Sequence, residues 1–317
     1  MCTCKQGISN TGTPNCASAL EVPVKLFVQS LYNSTGALNK IDLSTINEPA
    51  DLDEAYFSEW INNPDKSVRL FPLPKMKNVE NTRGENRMET FKDGSKFFIG
   101  QGTRTFKAWI VGKDATPQLA GKLEDLRCTD FGIYLAGTSG AFIGSDAEAG
   151  YLKPINIEQD SFTAKYIPAT DDAVQKIEIT FDFDITEYDK NLRSILAEEM
   201  TADVRELRGL LDANVNVVSC TTTQAVIELY TDFGTALNRI PVEGCVSADF
   251  ISSDSLATGK IYDLTDDSDL TVTSVESPVG TYTLSYSGAM SAEELILKVK
   301  KNGFDFANVD GTVLTVA

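Results

Sequence analysis

The chain has 317 residues, 28 Lys or Arg against 46 Asp or Glu, a net charge of −18 and no histidine. That acidity argues against nucleic-acid binding through a phosphate-reading basic surface, and the missing imidazole removes the commonest general acid/base and metal ligand near neutral pH. An apolar content of 42% is enough to bury a sizeable core, and the length allows two domains or one large one.

The charge is unevenly spread. Residues 75–113 carry nine Lys/Arg and four Asp/Glu, whereas 151–213 carry seven and fourteen, and 214–317 carry five and fourteen. One basic segment in an acidic chain suits head-to-tail contact between copies. Cysteines stand at 2, 4, 16, 128, 220 and 245, with no C-x-x-C pair. No apolar run precedes Cys2, as a signal peptide would need, and the uncharged stretch 131–145 is too short and too glycine-rich to span a bilayer. These features predict folding in the cytosol with reduced cysteines and no membrane partner.

Taken in order, residues 1–20 are small, polar and Gly/Pro-broken, an arm without its own core. Cys2, Cys4 and Cys16 could hold zinc together with a further thiol such as Cys128. A C-x-C with a lone third cysteine lacks the paired spacing of zinc sites, so neither metal nor cofactor is expected. Val22 to Gln29 predicts a first strand with Val24, Leu26 and Val28 on one face. Residues 51–61 predict a short amphipathic helix with acids in its first turn and Tyr56 and Trp60 in the core; Asn62-Asn63-Pro64 ends it. Lys75 to Arg87 is polar with no apolar periodicity. Met88 to Phe98, around Lys92-Asp93-Gly94-Ser95, predicts a hairpin, and Gln101 to Val111 a strand. So long an excursion is a functional candidate. Its cations Arg83, Arg87, Lys92, Lys96 and Arg104 are candidate contacts to a neighbouring subunit.

Thr116 to Leu126 predicts a helix with Pro117 just inside its start. Phe131 to Tyr134 and Ala141 to Gly144 flank Gly137-Thr138-Ser139-Gly140, a second hairpin. Tyr151 to Ile157, Ser161 to Ile167 and Val174 to Ile185 predict a three-strand meander. In the last of these, Ile177, Ile179, Phe181, Phe183 and Ile185 alternate with Glu178, Thr180, Asp182 and Asp184. Period two means one buried and one wet face, the wet one carrying three carboxylates and no cation. Such a face is either simply solvated or a surface past which something negatively charged slides. Glu187 to Leu211 has helical spacing. Beyond Asp212 come short β-like runs, one helix candidate at Ser291 to Lys301 with early acids, and a last strand over 311–316. The expected fold class is mainly β (α+β), with domains 21–213 and 214–317 following the arm.

No GxSxG, P-loop, GxGxxG or HExxH is present, and the chain reads as no enzyme. Asp263, Asp266, Asp267 and Asp269 cluster, but the sixth-position glycine and closing glutamate of a calcium loop are missing, which predicts a solvated loop.

The order of parts over 22–193 (early strand, basic hairpin Lys75 to Arg104, single helix, meander) resembles the tail-tube, or major tail, proteins of tailed bacteriophages. The arm MCTCKQG resembles the starts of some phage virion proteins. The resemblance implies a tail-tube-like β-sandwich or barrel with one or two flanking helices, to which the smaller C-terminal β-rich domain is an addition. It further implies hexameric rings of identical subunits, closed by an inner β-barrel and stacked into a tube that DNA traverses without specific binding. Such a protein sits in the virion tail with other virion proteins, after assembly in the host cytoplasm. On that reading the hairpin reaches a neighbour, and Glu178, Asp182 and Asp184 face the lumen. The alternatives are a capsid, neck or tail-terminator component, and a glycan-binding adhesin-like β protein using Tyr282 and Tyr286, which lie at i and i+4.

Overall fold

Alternation of apolar and polar side chains dictates most of the architecture. The computed structural model describes residues 20–146, 150–235, 237–306 and 311–317, so the arm with Cys2, Cys4 and Cys16 lies outside the described residues, as does the side chain of Cys128. The chain is mainly β, with several sheets and, among the described residues, two α-helices, Glu54–Ile61 and Pro117–Asp125. It divides into two units, one built from residues up to 54, 74–116 and 123–206, the other from 55–73, 117–122 and 207–317.

The first unit is built mainly on two antiparallel sheets, with two smaller two-stranded ones. In one, Leu192–Ile195, Phe142–Ser145, Phe131–Gly137 and Pro23–Ser30 lie side by side. Phe131–Gly137 is buried at every position. Pro23–Ser30 is also covered on both faces, so the one-sided pattern expected from Val24, Leu26 and Val28 gives way to a strand with Lys25 and Gln29 buried as well. Lys25 is tolerated there because its Nζ donates to the Arg205 carbonyl at 3.2 Å and sits 5.6 Å from the Phe27 ring centre. In the other sheet the order is Thr163–Ile167, Lys176–Asp182, Arg104–Val111, Met76–Arg83. A row of rings joins the two sheets: Phe131, Phe162, Phe181 and Phe106, with successive centroids 5.2, 6.2 and 4.9 Å apart. Each such contact contributes about 0.5–1.5 kcal/mol beyond the area it buries.

Three expectations are corrected here. Tyr151 to Ile157 is not a meander strand: Tyr151–Leu152 pairs with Ile41–Asp42, and Ile155–Asn156 pairs with Phe131–Gly137. The polar stretch after Lys75 contains a strand, Met76–Arg83, in which Met76 alone is buried. Glu187 to Leu211 forms no α-helix. Leu192–Ile195 instead pairs along Phe142–Ser145 and buries its two end residues, a ladder that a helix would forfeit.

In the second unit, Thr273–Glu276, Thr281–Ser285, Gln224–Gly234, Leu211–Cys220 and Phe304–Phe306 form one sheet in that order. Glu294–Val299 is the hub of another. It pairs with Phe250–Ser252, Lys260–Asp263 and Thr312–Thr315. This overturns the helix expected at Ser291 to Lys301. Leu295 and Leu297 point into the core at period two, among Phe250, Ile261 and Leu314, and that packing outweighs the capping signal of Ser-Ala-Glu-Glu.

Candidate functional site

Between the paired strands Met76–Arg83 and Arg104–Val111 the chain makes a separate two-stranded sheet, Arg87–Thr90 with Lys96–Gly100. Its turn is closed by Phe91 N–H donating to Ser95 O and Gly94 N–H to Phe91 O, both at 2.9 Å. The Asp93 carboxylate accepts from Ser95 N–H at 2.9 Å and Oγ at 2.6 Å, and these bonds hold its pKa below the ordinary value. Gly94 has φ +83°, a conformation L side chains rarely adopt, which is why Asp-Gly signals this turn.

The register places Met88 opposite Phe98 and Glu89 opposite Phe97. Directly opposed residues share a face, so Met88 and Phe98 lie on one side and Phe97 on the other, while Ile99 is the extra residue where the register shifts. Both faces are wet: Met88 is 51% exposed, Phe91 47%, Phe97 60%, Phe98 51% and Ile99 59%. A two-stranded hairpin is marginal by itself, and exposed apolar side chains gathered on it make it a candidate interaction surface. Covering the exposed half of each side chain would contribute about 1 kcal/mol apiece.

The five cations proposed for inter-subunit contact divide into two groups. Arg83 pairs with Asp189 at 2.7 Å and donates to Gly102 O at 3.0 Å. Arg104 donates to Asn81 Oδ1 at 2.8 Å, lies 3.4 Å from Asp189 and stacks over the Phe183 ring at 4.2 Å. These two brace the base of the excursion, where a Cβ at Gly102 would overlap the Gly84 carbonyl. Arg87, Lys92 and Lys96 are exposed and, among the described residues, have no ion-pair partner. They remain available.

On the four-stranded sheet, Ile177, Ile179, Phe181 and Phe183 are buried as the alternation requires, but Ile185 is 61% exposed. The strand ends at Asp182. Asp184 lies past it and accepts from Thr186 N–H at 2.7 Å and Oγ1 at 2.5 Å. Asp182 accepts from Thr105 Oγ1 at 2.5 Å. Glu178 accepts from Trp109 Nε1 and pairs with Lys107 Nζ, each at 3.0 Å. The bond to Lys107 is the chief cause of its lowered pKa. Lys165 stands opposite Glu178, and Lys176 lies 3.6 Å over the Trp109 ring. Lys77 is opposite Trp109, and Glu80 opposite Lys107. The expectation of a cation-free acidic row is therefore corrected: Glu178 and Asp182 come from one strand, lysines from its own start and from the neighbouring strands interleave with them on the same face, and Asp184 lies beyond the strand.

Tyr282 and Tyr286 offer no platform for a sugar. They are 0% and 7% exposed, and their hydroxyls donate to Val242 O and Thr221 O, both at 2.7 Å. Burial pushes both phenols' pKa up. Among the described residues no helix is long and apolar enough to cross a membrane. No protein-family model matches the chain, and neither a curated protein nor a solved structure matches it.

Proposed function

We propose that this chain is a virion structural protein that self-assembles into stacked, hexameric rings and so builds a tail tube for the passage of DNA. The observation that carries the reading is the hairpin Arg87–Gly100, whose large apolar residues stand in water on both faces beside three cations with no ion-pair partner among the described residues. In a chain of net charge −18, a second copy supplies both the apolar cover and the negative charge that this hairpin lacks. Thr163–Ile167 and Met76–Arg83 are the edge strands of their sheet, and joining a neighbour's sheet into a closed, tail-tube-like barrel removes those edges. No specific bond to DNA is needed. Glu178, Asp182 and Asp184 line the bore on this reading, with the interleaved lysines leaving the wall near charge balance rather than uniformly acidic.

Negative-stain electron microscopy of the purified chain tests the reading. Long hollow tubes are expected; isolated rings would favour a capsid, neck or tail-terminator component instead. For the bore, the triple variant E178K/D182K/D184K is expected to assemble while slowing DNA ejection, because a cationic wall attracts phosphates lying within about 8 Å of it. Unchanged ejection would contradict that lining.

A further inference from the structure

In the second unit, the turn that follows the strand Lys260–Asp263 and the turn that precedes Glu294–Val299 are held side by side. Asp263 pairs with Leu295, and Leu264 N–H donates to Glu294 O at 3.0 Å. This brings together Asp263, Asp266 and Glu293, each able to place one carboxylate oxygen within 4.8 Å of the other two. Asp263 is 0% exposed and Glu293 5%, while Asp266 reaches solvent. One oxygen of Asp263, Oδ1, accepts from Thr265 N–H at 3.0 Å and Asp266 N–H at 3.3 Å. Its other oxygen, Oδ2, is buried without a hydrogen-bond partner among the described residues. Glu293 accepts the Met290 N–H through Oε2. No lysine or arginine among the described residues pairs with any of the three.

Two buried carboxylates beside a third, with one buried oxygen unsatisfied, are costly unless a cation joins them. We propose that Asp263, Asp266 and Glu293 form a calcium site. All three donors are hard oxygens, with no thiol or imidazole to favour a transition metal. Ca²⁺ accepts irregular sets of oxygen donors at about 2.3–2.6 Å and fills its shell with water, whereas Mg²⁺ demands a near-ideal octahedron at about 2.0–2.1 Å. Asp266 opens the site to entry and to the waters that complete the shell. The other acids of the cluster serve elsewhere: Asp267 accepts from Tyr262 Oη at 2.5 Å, and Asp269 accepts from the hydroxyls of Ser252 and Ser255. The acid that a linear calcium loop would carry near its end is supplied here across the sheet by Glu293.

The test is calorimetric titration of EDTA-stripped full-length protein with CaCl₂, together with thermal melting in CaCl₂ or MgCl₂. One Ca²⁺ per chain is expected, with a Kd on the order of 10⁻⁴ M or tighter. Melting should rise by about 3–8 °C at saturating Ca²⁺ and by less in Mg²⁺. D266N alters an exposed side chain; it should leave the melting temperature of the stripped protein unchanged and weaken Ca²⁺ binding at least tenfold. E293Q and D263N should abolish the Ca²⁺ response. Absence of binding heat and melting shift in the wild type, or a wild-type response in D266N and E293Q, would overturn the site. Neither result bears on assembly.

Discussion

The four-stranded sheet and the hairpin that interrupts it belong to the same unit and use the same antiparallel pairing, yet they leave opposite demands. On the sheet, Glu178 finds Lys107 and Trp109, Asp182 finds Thr105, and every apolar residue from Ile177 to Phe183 is covered. On the hairpin the polar atoms of the turn are satisfied, but Met88, Phe97, Phe98 and Ile99 are not covered. A row of acids read along one strand looks like a functional surface until the neighbouring strands supply its cations. Exposed apolar side chains have no such internal remedy, because nothing else in the two-stranded ribbon can bury them.

The contrast can be broken at either end. The largest effect is expected from F97S/F98S, which strips one large residue from each face of the hairpin. At about 2 kcal/mol for each interface anchor, the concentration needed for assembly should rise about a thousandfold. The melting temperature of the subunit should hardly move, since exposed side chains contribute little to folding. On the internally satisfied side, Glu187→Ala should destabilise the fold by about 3 kcal/mol in denaturant unfolding. Glu187 is buried and bonded to Ser145 Oγ and Lys153 Nζ, each at 2.9 Å, so its removal leaves the mostly buried ammonium unpaired. The smallest effect belongs to E178Q, about 0.5 kcal/mol for a partly exposed pair. Glu178's folded pKa lies below its ordinary 4.5, so this contribution is present above that value and lost as pH falls through the lower folded pKa. Urea titrations of wild type and E178Q should therefore differ near neutrality and converge in acid.

Much of this was legible from residue order. Ile177 to Phe183 declares its strand because the two faces meet different media, and Asp93-Gly94 declares its turn because φ +83° needs glycine. What escaped were elements whose partners are distant in sequence. Met76–Arg83 has no apolar period, since only Met76 is buried, and it is a strand because Arg104–Val111 pairs with it. Glu294–Val299 opens like a helix and becomes a strand because Lys260–Asp263 and Thr312–Thr315 flank it. The same long-range pairing brings Glu293 to Asp263. At the hairpin, the cations and the turn could be read from the sequence, but the exposure of Phe97 and Phe98 could not: an apolar pair in a strand signals burial, and only the fold shows both side chains exposed.

The most direct measurement is sedimentation velocity of the purified full chain over a concentration series, beside F97S/F98S, with negative-stain images of the same samples. The account predicts that the wild type polymerises into hollow tubes while the variant remains a folded monomer. A wild type that stays monomeric at the highest concentration reached, or a variant that assembles equally well, would contradict it.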